Sequence, residues 1–323
     1  MKNIRIFNFD SIVKLLIHVI FLQAILVILM LIFPEFKDFS FSILQDDRTS
    51  LSERYAGFRG LGYATSVTYD FSVIQSVGLL LLCAQITKIK SKKQILVSIV
   101  MFFSILVSVL VSGRTGWIGI IMAIFLLAIQ LCSSKKALQN FLKLILISAI
   151  IIPIFSFGYM SFAPSSLKNS VSNDIIPFAF EMFINLKENG NLETDSSDVL
   201  KTMYFNIDLQ TFLFGDGYYV DPSDSSKYYR ETDAGIMREI LYYGILGSLI
   251  FYFLYIYIFV TLMVKFKRRK LNTYFVLAFL MFVYYFLVQI KGDFLLGSNM
   301  GIKVLLLIYV GGLSLKYKNR QEV

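Results

Sequence analysis

Apolar runs of helical length govern what this chain can fold into. A hydrocarbon core about 30 Å thick takes about 20 residues of helix to cross. Eight segments qualify, near 12–33, 67–87, 94–112, 116–132, 141–161, 236–263, 272–290 and 296–314. In lipid every backbone polar group needs an internal partner, so such segments are expected to be helical. The chain is 56% hydrophobic and only 16% charged, whereas a soluble domain carries about 25% charged residues. The expected fold class is therefore an all-α polytopic membrane protein, a single integral domain over 1–323. The first run is too long for a signal-peptide core and lacks a small-residue cleavage site, so it is expected to stay as a span.

Charge placement orients these spans. The net charge is +9, and its lysines and arginines sit in short loops rather than on one nucleic-acid-binding face. Lys2, Arg5 and Lys14 open the chain; Lys88-Ile89-Lys90-Ser91-Lys92-Lys93 follows the second run; Lys135, Lys136 and Lys143 follow the fourth. Lys265-Phe266-Lys267-Arg268-Arg269-Lys270 follows the sixth, and Lys316, Lys318 and Arg320 end the chain. Putting these clusters on one side satisfies the positive-inside rule for an even span count, with both termini cytoplasmic. The outer side then holds 34–66, the Ser112-Gly113-Arg114-Thr115-Gly116 turn, the stretch 162–235 and the turn Lys291-Gly292-Asp293. The long outer loop 162–235 exceeds an ordinary connection. Ile175, Phe178, Ala179, Met182 and Phe183 recur in it at helical spacing, as do Leu200, Met203 and Tyr204, so short amphipathic helices are expected there.

Charges in or beside spans are costly and mark candidate sites. Three outer-side features qualify: Arg59 between Phe58 and Gly60-Leu61-Gly62; Arg114 in its turn; and Thr232-Asp233-Ala234-Gly235-Ile236-Met237-Arg238-Glu239, which opens the sixth span. Guanidinium groups bind phosphate bidentately, and neighbouring glycines allow close backbone approach. Asp70 early in the polar second span, and Lys291 and Asp293 in the last outer turn, are supporting candidates. Plainer readings stand beside these. Arg114 snorkels to the interface, Arg59 pairs with Glu53, Asp233 is only a helix N-cap, Asp70 ties one helix to another, and Lys291 and Asp293 are interfacial anchors. The single histidine, His18, lies inside the first span, and Cys83 and Cys132 sit on different spans. No metal-ligand spacing, Walker loop or dinucleotide fingerprint occurs, so no metal, cofactor or nucleic acid is expected.

In family order, these motifs resemble the bacterial O-antigen polymerases (Wzy-like), relatives of the O-antigen ligases. The resemblance rests on Arg59-Gly60-Leu61-Gly62 before a polar span and on Ser112-Gly113-Arg114-Thr115-Gly116-Trp117 between two spans. It rests further on Leu213-Phe214-Gly215-Asp216-Gly217-Tyr218 late in the outer loop, and on Asp233-Ala234-Gly235-Ile236-Met237-Arg238 followed by Tyr243-Gly244-Ile245-Leu246-Gly247. It covers about 54–300. The chain departs from the family in having eight spans where ten or more are common. It also lacks the histidine that the ligases carry near the position of Asp233, which favours polymerase over ligase.

The resemblance implies a metal-independent glycosyltransferase of polysaccharide or lipopolysaccharide biosynthesis in the bacterial inner membrane. Donor and acceptor would both be undecaprenyl-diphosphate-linked oligosaccharides, and a chain-length regulator is a further partner it admits. Arg59, Arg114 and Arg238 are expected to hold diphosphate, with Asp233 and Arg238 at the reacting centre and Gly60, Gly62, Gly215 and Gly217 shaping the walls. A ligase, a flippase or transporter, and an assembly protein whose charges only anchor helices are the rival readings.

Overall fold

The computed structural model describes residues 9–44, 57–64 and 68–315. Lys2, Arg5, Glu53, Lys316, Lys318 and Arg320, invoked above, lie outside them, and so does any Arg59–Glu53 pair. The described residues are helical, apart from loops and one isolated antiparallel bridge between Val220 and Tyr228. In chain order the α-helices are α1 (Phe9–Ile32), α2 (Pro34–Ile43), α3 (Tyr69–Ala84), α4 (Lys92–Ser112), α5 (Gly116–Ser133), α6 (Lys135–Phe162), α7 (Ser165–Ser170), α8 (Ile176–Asn189), α9 (Asp195–Thr202), α10 (Leu209–Phe214), α11 (Gly235–Arg268), α12 (Asn272–Lys291) and α13 (Asn299–Leu313).

Among the described residues six helices are long and apolar enough to cross a membrane: α1, α4, α5, α6 through Pro153, α11 and α12. This is consistent with a polytopic membrane protein. Two more, α3 and α13, are apolar but shorter. At 1.5 Å per residue, the 16 residues of α3 reach about 24 Å. Every residue of α3 from Phe71 through Leu81 is buried. A helix enclosed on all sides packs against protein, and its length need not match a bilayer. Around it α1, α4, α5 and α12 pack one core with Val73, Val77, Leu80, Ile105, Leu126, Tyr284 and Tyr285. The outer helices keep large apolar side chains exposed, among them Leu22, Ile124, Leu146, Ile150 and Ile250. A contiguous apolar exterior of that kind is unusual in water and suits lipid.

Polar contacts tie the two ends of the bundle. At one end Lys88 reaches Asp10 and Tyr274, Gln85 donates to the Tyr274 hydroxyl at 2.9 Å, and Asn140 donates to the Ile86 carbonyl at 2.7 Å. Lys265 and Arg269 there reach the carbonyls of Leu313 and Leu315. The described basic loops thus gather where α1 starts and α13 ends. At the other end lie the turn between α4 and α5, the start of α11 and the end of α12. The short helices α7 to α10 belong to the stretch expected to be amphipathic, and α8 carries the Phe178–Phe183 stripe.

Helix α11 is broken. Gly244 has φ 66° and ψ 171° between two helical arms, 235–243 and 245–268. The break is made by tertiary packing: a Cβ on Gly244 would lie 2.5 Å from the Phe214 nitrogen, and one on Gly215 (φ 77°) would lie 2.5 Å from the Tyr242 carbonyl oxygen. The Asp216 amide donates to the Leu241 carbonyl at 2.6 Å. The Leu213-Phe214-Gly215 and Tyr243-Gly244 motifs are therefore two halves of one joint, and the sixth apolar run, expected near 236–263, is a spanning-length helix interrupted at Gly244.

Candidate functional site

The turn carrying Arg114 is pinned from below. Ser72 donates to the Gly113 carbonyl at 2.7 Å, and Ser76 donates to the Gly116 carbonyl at 3.1 Å. A Cβ on Gly116 would lie 2.6 Å from the Ser72 oxygen, so only glycine lets α5 approach α3 this closely. This accounts for the serines in the polar half of α3. Arg59 donates to the Ser112 carbonyl at 3.3 Å, which brings it to the same turn. Its loop runs through Gly60 and Gly62 at φ 84° and 100°.

Arg59 and Arg114 share one aromatic partner. Their guanidinium carbons lie 5.2 and 4.7 Å from the Phe178 ring centre, within cation–π range. Arg114 also pairs with Glu181, one turn along α8, and both side chains are 19% exposed. It is therefore held by protein and does not merely snorkel. Trp117 donates to the Ala179 carbonyl at 2.7 Å, fixing α8 over the turn. Lys291, at the end of α12, donates to the Ser196 hydroxyl at 3.3 Å. It lies in electrostatic range of Arg59, Arg114 and Asp233. That residue links the arginine pair to the start of α11.

Asp233 is not the N-cap of α11. Ala234 occupies that position, and the Asp233 carboxylate faces Arg238 at 3.7 Å. Asp233 keeps 56% of its side-chain surface exposed, yet stands in a recess crowded by protein. This desolvation raises its carboxyl pKa above the ordinary value, Arg238 opposes the rise and Asp293 reinforces it. Arg238 is only 7% exposed, with its guanidinium carbon 4.0 and 3.7 Å from the ring centres of Tyr219 and Tyr228. Its Nε and Nη2 are buried without hydrogen-bond partners.

The other candidates are placed as follows. Asp293 is buried and folds its own turn, accepting from the Tyr219 hydroxyl at 2.9 Å and the Gly297 amide at 3.0 Å. Burial, with Asp293 next in strength, pushes the Tyr219 hydroxyl pKa up, so it remains a donor. Asp70 lies in the first turn of α3, beside Tyr69, whose hydroxyl donates to the carbonyls of Val288 and Gly292. Gly215 serves the α11 joint, and Gly217 (φ 76°) has open space around it. Thus Arg59, Arg114, Lys291 and Asp233 gather, Arg238 adjoins through Asp233, and Gly215 and Asp293 act in the framework.

Sequence reasoning missed Glu181, Phe178 as a cation partner and the Tyr219–Tyr228 pair, and it named Glu239 only as the end of the α11 motif, with no role. Glu239 is 2% exposed in the short arm of α11, and the cost of charge within an apolar run would have marked it. Among the described residues no group of three or more His, Cys, Asp or Glu side chains is arranged to hold a metal ion. No protein-family model, no curated protein and no solved structure matches the chain.

Proposed function

We propose that this chain is an eight-span enzyme of the bacterial inner membrane, both termini cytoplasmic, that polymerises undecaprenyl-diphosphate-linked oligosaccharide repeats at its outer face. The reading is supported above all by Lys291, which lies in electrostatic range of both the Arg59–Arg114 pair and the Asp233 carboxylate. A cluster of three cations suits a diphosphate leaving group, and a carboxylate beside it suits a base. In the proposed step Asp233 takes the proton of an acceptor sugar hydroxyl. The hydroxyl oxygen bonds to the donor's anomeric carbon. The bond from that carbon to the diphosphate oxygen breaks, and its electron pair leaves on the diphosphate, neutralised by Arg59, Arg114 and Lys291. Glu181 occupies Arg114 before the substrate arrives and competes with it. A chain-length regulator would act beside this chain.

The test is replacement of Arg59 or Arg238 by Ala in cells that depend on this chain for surface polymer. The expected result is loss of the polymer ladder, with single repeats retained and the protein still in the membrane. Wild-type chain length in both variants overturns the assignment. A second reading, a lipid-linked glycan transporter, is favoured by the break at Gly244, because transporters build sites at discontinuous helices. It predicts repeats stranded on the cytoplasmic face of a deletion strain, whereas the polymerase reading places them outside. A ligase would instead leave lipid-linked polymer unattached.

A further inference from the structure

Two charged side chains of the site have polar atoms left over. Arg238 presents Nε and Nη2, one edge of its guanidinium, buried and without an acceptor. The next residue, Glu239, buries both carboxylate oxygens without a donor in hydrogen-bonding geometry. Tyr252 and Gln289 stand beside Glu239. The Gln289 carbonyl oxygen is already taken by the amides of Phe294 and Leu295, at 2.8 and 2.7 Å, which leaves its amide nitrogen as a donor. Buried polar groups of native proteins are almost always paired. Two unpaired guanidinium atoms, next to a carboxylate that its neighbours Tyr252 and Gln289 do not hold in good hydrogen-bonding geometry, suit a ligand that supplies both acceptors and donors.

A diphosphate has acceptors only. It would satisfy Arg238 and be repelled by Glu239. A sugar carries hydroxyls, each both donor and acceptor, and adjacent hydroxyls can bridge a guanidinium edge and a carboxylate. Charge divides the site in the same way. Around the three cations Arg59, Arg114 and Lys291 the neighbouring acids described are Glu181 and, on the Lys291 side, Asp233, so positive charge is in excess. Around Arg238 stand Asp233, Glu239 and Asp293. The first group attracts an anion and the second does not. The rings of Tyr219 and Tyr228, which close over Arg238, also give the second group apolar faces on which a sugar ring can rest.

We propose that Arg238 and Glu239, with Tyr219 and Tyr228, form a saccharide subsite, and that diphosphate is confined to Arg59, Arg114 and Lys291. The inference rests on the glycan-transfer reading and revises the expected role of Arg238 as a diphosphate ligand. Because Arg238 is nearly sealed, the 218–229 segment has to tilt for a sugar to enter.

The test uses the full-length protein in lipid nanodiscs and two probes measured by calorimetry: inorganic pyrophosphate, and the free repeat oligosaccharide released by mild acid from the host's lipid carrier. Glu239→Gln and Arg238→Lys preserve size, and thermal unfolding checks that they fold. Each is expected to weaken oligosaccharide binding about tenfold or more, the loss typical of a hydrogen bond to a charged group, and to leave pyrophosphate binding unchanged. Arg59→Ala is expected to do the reverse. Tyr228→Leu, which removes a ring without touching a charge, should weaken the oligosaccharide alone. If Glu239→Gln and Arg238→Lys weaken pyrophosphate as Arg59→Ala does, or leave the oligosaccharide unaffected, the subsite is overturned while the glycan-transfer reading stands. If the wild-type protein binds neither probe, that reading fails and the subsite with it.

Discussion

The break in α11 gives a prediction whose sign is diagnostic. In a continuous helix, Gly244→Ala would stabilise the protein by about 1 kcal/mol, the difference in helix propensity between the two residues. The structure demands the opposite. Gly244 holds φ 66° and ψ 171°, a region essentially restricted to glycine and costing other residues about 1–3 kcal/mol. Its added Cβ would also lie 2.5 Å from the Phe214 nitrogen, and forcing atoms into a filled space costs about 1–3 kcal/mol more. The expected destabilisation is thus about 2–6 kcal/mol. Gly215→Ala, at the other side of the joint, should destabilise similarly. The double variant should lose less than the sum, since both substitutions open the same contact. The assay is reversible unfolding in mixed micelles followed by circular dichroism. A Gly244→Ala protein as stable as wild type, or more so, refutes the broken helix and the pairing of the two motifs.

Other outcomes follow from the charges. Removing Glu181 (Glu181→Gln) deprives a partly buried cation of its partner and should cost about 1–3 kcal/mol, between the exposed and buried limits for ion pairs. It should tighten pyrophosphate binding, read by calorimetry, because a competitor for Arg114 is gone. As a base Asp233 works deprotonated, so polymerisation should rise with pH through a carboxylate titration displaced above its ordinary value by desolvation. That limb should move lower in Asp293→Asn and higher in Arg238→Gln, as seen in pH–rate profiles of membranes. The same raised pKa means that the folded state holds the Asp233 proton more tightly. Its stability contribution is therefore present below the unfolded-state pKa and is lost as pH climbs through the folded one. Asp216 accepts from Thr211 at 2.7 Å and from Tyr229 and Arg230, both at 3.0 Å. Asp216→Ala should loosen the 218–230 segment and speed its cleavage by added protease.

The bundle was legible because apolar runs longer than any strand allow few alternatives. Helices α3 and α13 fall on two of the eight runs even though they are short. Helix ends were less legible. Residues Lys135–Asn140 belong to α6 and Lys265–Arg268 to α11, outside the apolar stretches. Hydrogen bonding continues along the backbone past the last apolar residue, and lysines and arginines in a final turn complement the helix dipole. The joint at Gly244 could not be read locally, since a lone glycine in an apolar run usually stays helical, and the packing that breaks it comes from residues 213–215. The arginines of the site were visible as charges beside spans. Their partners were not, because Phe178 and Glu181 meet Arg114 across more than sixty residues of chain. Asp233 was weighed as a cap on spacing alone, and only the side-chain direction toward Arg238 separates the two roles.

The serines of α3 that hold the Arg114 turn have a consequence for how tightly an anion can be held. Fixing the backbone of a flexible residue costs about 1–2 kcal/mol of conformational entropy. At Gly113 and Gly116 that ordering is enforced by hydrogen bonds to the buried Ser72 and Ser76. The loss therefore falls on folding, and the incoming group meets a cation whose backbone has little freedom left to surrender. In such a site weak individual contacts translate almost fully into residence time on the protein.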